Sequence, residues 1–458
     1  MPLPRPAPIT APGPTGAEML RAIRRIRRDP VAFLQSVRDE HGGVAQFPIP
    51  RPPTYLVSDA DAVRRVLVTN ASAYGKRTLQ YSTLALVTGD GLLTADTETW
   101  RPHRRILQPA FHHVAVAAVA GHVARAVDRV DRSWSARCQA SAATRAVIDV
   151  DETMAHLALE VVGRALFGTD LTGDAARLTT ATLQALDVVV GRARTPVSAP
   201  AWVPTPGNVR LGRAVARLDA AVTSMLAERA VAGTEPRAPD MLDLLLVGGE
   251  LTPTQVRDEV VTFIVAGHET VAAALTWACY LLGRDPVAAQ RLRDEVDGVA
   301  AGRDQPLEVA DLDRLPYTRA VVDETLRLYP PAWLITRRAR EDDVLAGVAV
   351  PRDALVIISP WLVHHDADLW PGPADFRPQR FLPEGGAPDQ ARSAYLPFGA
   401  GPRMCIGREM ALLETVLALA GLARRFDITP VDAAPVRPLL AVTVRPDGGL
   451  RMLVRPRL

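Results

Sequence analysis

The decapeptide Phe398-Gly-Ala-Gly-Pro-Arg-Met-Cys-Ile-Gly407 holds a lone cysteine, Cys405, among glycines, one arginine and the start of a helix. From Glu409 to Arg424, apolar Met410, Leu413, Val416, Leu417 and Ala420 recur on one face at helical spacing, which puts Cys405 at a helix N-terminus. Unpaired N–H groups and the positive end of the dipole favour a thiolate there, the form that ligates metal. Gly401 and Gly407 let the backbone turn tightly or approach a flat cofactor, and Arg403 is placed to meet an anionic group on it. A single cysteine is more often buried and inert; the residues around this one argue for a metal-ligand loop.

Three other groups have types and spacings suited to chemistry. Trp100 and Arg104 are four apart and share one helix face, where an indole N–H and a guanidinium suit carboxylates on a shared ligand. A core tryptophan beside an exposed arginine fits that spacing equally well. Glu269 and Thr270 follow a mostly apolar run from Val261 and form a candidate proton-handling pair; the alternative has Thr270 bonding a backbone carbonyl and Glu269 facing solvent. Glu324 and Arg327 stand at i, i+3, a spacing that usually means a surface pair. His103, His112 and His113 read as structural or surface residues.

The element that positions Glu269 and Thr270 is a long helix over Pro253–Leu282. Thr252-Pro-Thr-Gln255 is a capping box with proline at the first helical position, and Gly283 with Arg284-Asp-Pro286 supplies the stop. Such a helix runs on the order of 45 Å. Gly267 in its interior costs about 1 kcal/mol relative to alanine and so asks for a reason. Helices are also expected from about Ala17, over Ala60–Val68, Met154–Phe167, Leu211–Val231 and Pro316–Leu328, and after an Asp285 cap. A hairpin is expected over residues 44–58, strands over Val344–Ile358, and a strand pair around Pro446-Asp-Gly-Gly449. Residues 1–16 read as an extended proline-rich segment, 73–95 as a long irregular loop of the lid or binding kind, and 196–207 as a proline-rich break.

With 458 residues, 48% hydrophobic and 23% charged, the chain has the make-up of a folded protein with a large core. A net charge of +2, with no basic run interleaved with aromatics, argues against nucleic-acid binding. Cys138, Cys279 and Cys405 are scattered and odd in number, against a disulfide framework, and no zinc-type cluster is present. The first residues form no apolar signal region, and no window of about twenty residues is apolar enough to span a bilayer. We expect a cytoplasmic protein without a membrane anchor.

In order along nearly the whole chain, these segments resemble the cytochrome P450 family of haem-thiolate monooxygenases. The signature Phe-x-x-Gly-x-Arg-x-Cys-x-Gly is complete at Phe398, Gly401, Arg403, Cys405 and Gly407; Glu324-x-x-Arg327, Arg380, Ala266-Gly-His-Glu-Thr270 and Trp100-x-x-x-Arg104 match further family segments. The resemblance implies a mainly α fold with small β-sheets (α+β) and a long central helix over the haem. It forms one domain over residues 1–458, with a β-rich part at about 43–70 and 344–400. It implies haem b with Cys405 as proximal iron ligand and Phe398 packed beside the sulfur. Trp100, Arg104, Arg403 and Arg337 would hold the propionates, Arg338 competing with Arg337. Ala266 and Gly267 would leave room for oxygen, Glu269 and Thr270 would manage water and protons, and Glu324, Arg327 and Arg380 would be a structural network.

Candidate substrate contacts are Leu86, Val87, Thr262, Phe263, Trp333 and Leu334, largely apolar. The implied reaction inserts one oxygen atom from O2 into a lipophilic molecule, by hydroxylation or epoxidation, in secondary metabolism. Terpenoids, fatty acids and macrolide-like intermediates all fit. Electrons would come from a ferredoxin or flavodoxin with an NAD(P)H-dependent reductase, to a monomer. A peroxide-using haem-thiolate enzyme and a non-catalytic haem sensor are the alternatives, and the intact Glu269-Thr270 pair speaks against both.

Overall fold

The structure, a computed structural model, describes residues 10–457 apart from 49–51, 172–184, 187, 190, 192–199, 201, 233–239, 247–248, 304 and 386–392. Residues 1–9 of the proline-rich start, and 196–199 and 201 of the proline-rich break, therefore lie outside the description.

Helices α1 (Gly16–Arg28) and α2 (Pro30–His41) lead into the antiparallel pair β1 (Val44–Phe47) and β2 (Thr54–Val57). After α3 (Ala60–Arg64) the coil widens into a π-helical turn through Thr69, so the expected helix over 60–68 changes pitch midway. Next come β3 (Tyr74–Gly75), α4 (Leu79–Thr88), α5 (Thr97–Leu107), α6 (His113–Gln139), β4 (Ala146–Asp149) and α7 (Val150–Phe167). The helical centre continues with α8 (Pro206–Ala232), α9 (Met241–Leu246), α10 (Pro253–Arg284), α11 (Pro286–Ala300) and α12 (Pro316–Leu328). Strands β5 (Ile335–Ala339), β6 (Asp343–Leu345), β7 (Val348–Val350) and β8 (Leu355–Ile358) follow, then α13 (Pro360–His364) and α14 (Arg408–Arg425). The chain ends with β9 (Phe426–Pro430), β10 (Pro438–Leu440), β11 (Val444–Pro446) and β12 (Arg451–Pro456).

Helix α10, against the expectation that no window is apolar enough to span a bilayer, is long and apolar enough to do so by length and composition, but it is mostly buried and forms the axis of the larger core. It starts on the expected capping box, Thr252 accepting from the Gln255 N–H while Gln255 accepts from the Thr252 N–H, and it runs two residues beyond the expected end. Its buried residues, among them Val260, Ile264, Leu275, Trp277 and Ala278, pack against α7 on one side and α14 on another. A second apolar cluster lies around a five-stranded sheet of order β1-β2-β8-β5-β3, where Tyr55, Val57, Val356, Ile358 and Leu396 are buried.

Two expectations need correction. Residues 73–95 are not one irregular loop: α4 occupies the middle, capped by Thr78, whose hydroxyl accepts from the Tyr81 N–H. Ser82 and Thr83 donate to the carbonyls of Thr78 and Leu79 at 2.8 and 2.7 Å, so polar residues that blur the apolar period are absorbed by the helix itself. The C-terminal strands also pair differently. β11 joins β10, while β12 sits between β4 and β9, so Pro446-Asp-Gly-Gly449 connects two sheets rather than closing a hairpin. The β-rich part is correspondingly wider than 43–70 and 344–400: it includes β3, β5 and the last thirty or so residues, and no strand lies among the described residues 359–400.

Candidate active site

The cysteine loop is folded back on itself. The Cys405 N–H donates to the Phe398 carbonyl at 3.0 Å, and Gly401 adopts φ 68°, where a Cβ would stand 1.9 Å from the Leu67 carbonyl oxygen. No other residue fits that crossing. Helix α14 begins at Arg408 with Gly407 as its cap, so Cys405 precedes the cap by two residues. Burial pushes the Cys405 thiol up, opposed by the Gly407 N–H, Arg104 and Lys76. The helix-end N–H and the two basic side chains thus favour the thiolate at the sulfur, against its burial. Cys405 is enclosed by protein yet keeps accessible surface, as a side chain on the wall of an interior space does. Ala266, Gly267 and Thr270 likewise keep partial exposure between buried Val265, His268, Glu269 and Val271 on α10. Phe111 ties the two walls together: its ring stacks on Phe263 of α10 at 5.6 Å and lies against Gly407.

Four cations gather beside Cys405. The Arg403 guanidinium lies 4.2 Å over the Trp100 ring and donates to the Ala95 carbonyl at 2.8 Å, while its Nη2 is buried without a hydrogen bond and 3.9 Å from Asp96. Burial and the nearby Arg337 push Arg403 down to about 10. Arg337 is buried and donates to the Thr336 carbonyl at 2.9 Å. Arg338 turns to the other face of β5 and pairs with Asp353 at 3.1 Å, which removes it as the competitor. Arg104 donates to the Met404 carbonyl at 2.9 Å. Trp100 presents its ring to Arg403 where its N–H was the expected contribution.

The fourth cation is Lys76, which the motifs did not reach. Its ammonium donates to the Leu93 carbonyl at 2.6 Å and lies 4.6 Å over the Tyr81 ring. Burial, then Arg337 and Arg403, hold it well below the usual lysine range. Its being the only lysine in the chain was the one available signal. Against these cations the nearest carboxylate is Asp96, which already accepts from Arg340 at 2.7 Å. An enclosed thiol, an unpartnered guanidinium nitrogen and an excess of buried positive charge fit a flat metal macrocycle with two carboxylates.

The Glu269-Thr270 pair matches neither sequence reading in full. The Thr270 hydroxyl donates to the Ala266 carbonyl at 2.8 Å, but Glu269 does not face solvent. Glu269 accepts from the Thr443 hydroxyl at 3.1 Å and from Arg445 at 3.4 Å, and Arg445 also pairs with Asp151 of α7 at 2.9 Å. Burial pushes Asp151 up, with Arg445 opposing it. Next to this cluster, the His268 Nδ1–H donates to the Ile264 carbonyl at 2.6 Å, and Nε2 is buried without a hydrogen bond, 3.6 Å from Glu269. The space beside Gly267 is taken by α7: a Cβ there would lie 2.8 Å from Val162 Cγ2. Close helix packing, and not only room for a ligand, explains that glycine.

Glu324 and Arg327 are a fully buried pair, not a surface one. The five N–H groups of Arg327 reach Glu324 at 2.7 and 2.9 Å, the His364 and Pro373 carbonyls at 2.8 Å each, and the Asp375 carbonyl at 3.1 Å. Arg380 donates to the same carboxylate at 3.0 Å. His364, also absent from the sequence reading, extends the network. Its Nδ1–H donates to the Arg327 carbonyl at 3.2 Å and its Nε2 accepts from the Leu396 N–H at 2.8 Å, two residues before Phe398. Burial first, then His365 and Arg327, keep His364 neutral.

The six candidate substrate contacts separate. Val87 is fully buried and Thr262 is sealed, a Cβ on Gly91 coming within 2.2 Å of its hydroxyl, so neither presents a surface to a ligand here. Trp333 is anchored through its N–H to the Ala441 carbonyl at 2.9 Å, and Phe263 is held by Phe111. Leu86 and Leu334 keep accessible surface.

A family model described as Cytochrome P450 matches residues 11–450. Among curated relatives, cyclooctatin synthase of Streptomyces melanosporofaciens is 36% identical over 97% of this chain and 95% of its own length. Cyclooctat-9-en-7-ol 5-monooxygenase of the same organism is 35% identical over 98% and 95%. Pentalenene oxygenase of Streptomyces avermitilis is 31% identical over 98% and 97%.

Proposed function

The chain belongs to the cytochrome P450 family, and on that premise we propose which residues carry its chemistry and what it acts on. It is a haem-thiolate monooxygenase: haem b, ligated by Cys405, supplies oxygen activation for inserting one atom of O2 into a lipophilic substrate. The observation that carries our assignment is Cys405, accessible inside the fold beside buried basic groups that outnumber their one nearby carboxylate, Asp96.

Arg403, Arg337, Arg104 and Lys76 hold the two propionates, with Trp100 as the plate on which Arg403 rests. The buried charge that Asp96 leaves unbalanced is met in this way. The Thr270 hydroxyl would exchange its bond to the Ala266 carbonyl for one to a water, taking a proton from that water as it gives up its own toward the cofactor pocket. Glu269 draws protons from the Arg445 and Asp151 cluster behind it. Glu324, Arg327, Arg380 and His364 fix the chain on either side of the cysteine loop and take no part in bond making. Phe398, Ala266 and Gly267 shape the cofactor surface, and Leu334 and Phe263 meet the substrate.

The substrate we propose is a cyclic terpenoid. The apolar candidate lining carries no anchor for a charged group, and relatives spanning almost the full length bear names of a cyclooctatin-type alcohol and of pentalenene. Electrons come from a ferredoxin or flavodoxin and its NAD(P)H-dependent reductase, which meet exposed Arg101 and Arg105 and half-exposed Arg408. A monomer working in the cytoplasm, in secondary metabolism, completes the reading.

Reduced, haem-loaded protein with carbon monoxide should show the red-shifted Soret band of thiolate ligation, lost in Cys405→Ala; a normal band in that variant removes the assignment. Cyclic terpene hydrocarbons and alcohols should give a spin-state shift and consume NAD(P)H with redox proteins present. A shift only with fatty acids overturns the substrate class, and turnover only with peroxide overturns the electron route.

A further inference from the structure

Helix α1 has a composition that nothing in the catalytic site uses. Its thirteen residues, Gly-Ala-Glu-Met-Leu-Arg-Ala-Ile-Arg-Arg-Ile-Arg-Arg, carry Arg21, Arg24, Arg25, Arg27 and Arg28, all exposed. At 3.6 residues per turn these arginines occupy one arc of roughly 160°. Met19, Ala22 and Ile26 lie on the opposite side and pack against the core, so the arginine face points outward. Its one acid, Glu18, is used by the capping box with Thr15. Elsewhere arginines are commonly matched with carboxylates, as Arg65 is with Asp343, Arg229 with Asp240 and Arg457 with Asp297. On α1 no arginine has an ion pair within 4 Å among the described residues. Leu20, 66% exposed, stands inside the same arc, between Arg24 and Arg27.

We propose that α1 docks the protein on an anionic lipid surface, in contact with it but not inserted. Outward guanidinium groups with no carboxylate partner, of which Arg25 also donates to the Ala32 carbonyl at 2.9 Å, on a convex helix with one exposed leucine among them, suit a plane of phosphates bordering hydrocarbon. The face has no cleft and no acidic residue to set a register with a protein partner, which is how a protein surface of opposite charge would be selected. A lipophilic substrate partitions into the same bilayer, so docking there raises its local concentration at the enzyme.

The test uses haem-loaded protein and sedimentation with phosphatidylcholine vesicles, with and without phosphatidylglycerol. Binding is expected to the mixed vesicles at low salt, to weaken as salt screens the charges, and to be absent on phosphatidylcholine alone. Each of the five arginines changed to glutamine should weaken partition about fivefold, about 1 kcal/mol per residue near the surface. Leu20→Ser should weaken it less. The carbon monoxide band and the substrate-induced spin shift should stay unchanged in the five-fold variant, which shows that it is folded. No sedimentation at low salt, equal binding to both vesicles, or full binding by the variant overturns the proposal. So does a variant that binds vesicles normally but loses turnover with its redox protein, because the face then serves an acidic protein.

Discussion

Replacing Arg445 by methionine separates the two buried acids behind the central helix from their shared cation. Arg445 stands 2.9 Å from Asp151 and 3.4 Å from Glu269, while Thr276 adds only a 3.4 Å bond to Asp151. Burial pushes Asp151 up; Arg445 opposes it, and Asp149 and Glu269 reinforce it. Without Arg445, burial, Asp149 and Glu269 all point upward, opposed only by the long Thr276 bond. An opposite charge at this range typically lowers a carboxyl by about 1–3 pH units, and removing Arg445 should raise Asp151 further. A carboxyl whose folded value is raised binds a proton that the unfolded chain releases near pH ~3.9. The stability it contributes is full below about pH 4 and is lost as pH rises through the folded value. The deficit of Arg445→Met against wild type should therefore widen between mildly acidic and alkaline pH, by about 1.4 kcal/mol per unit and so about 1.4–4 kcal/mol. Urea unfolding of both proteins across that pH range measures it. Adding Asp151→Asn to the variant should remove the part of the pH dependence that Asp151 carries. A deficit that stays constant with pH, or one that Asp151→Asn leaves untouched, would refute the shared-cation reasoning.

Arg327→Lys should prevent haem loading, because three ammonium donors replace five guanidinium ones and at least two buried acceptors are stranded at about 1–3 kcal/mol each; haem absorbance per protein at the wild-type level would contradict this. Gly267→Ala gains about 1 kcal/mol of helix propensity but meets Val162 at 2.8 Å, and overpacking of about 1–3 kcal/mol should win. The loss should show as a lower unfolding midpoint that Val162→Ala recovers in the same chain. Thr270→Ala should uncouple reductant from product several-fold at near-normal NAD(P)H consumption, measured as product per NAD(P)H; unchanged coupling counts against its proton role.

What the sequence makes legible follows how local each cause is. The capping box at Thr252 and the proline-started helix at Pro316 are written within four residues, and the structure begins both elements there. The cysteine signature is written within ten residues, although the reason for its Gly401, a crossing with Leu67, is distant in the chain. Helix α4 was missed because its stabilising bonds run from threonine and serine side chains to carbonyls one turn back, a device that carries no apolar period. The pairing of β12 with β4 depends on residues some three hundred positions apart, which no turn signal near Pro446 could reveal.

The same distinction separates the two parts of the site. Spacing alone gave Glu324 and Arg327, but it priced them as an exposed i, i+3 pair; burial turns the same two side chains into a network that cannot lose a member cheaply. Lys76 and Arg445 enter from segments with no motif, yet each changes what a motif residue does. Lys76 brings a buried amine beside Cys405 and its arginines, and Arg445 ties Glu269 to β11. The proton role proposed for Glu269 places the Arg445 cluster directly behind it. On that proposed role we expect Asp151→Asn, a change in α7 at a residue with no place in any signature, to lower product per NAD(P)H, and unchanged coupling would take Asp151 out of the path.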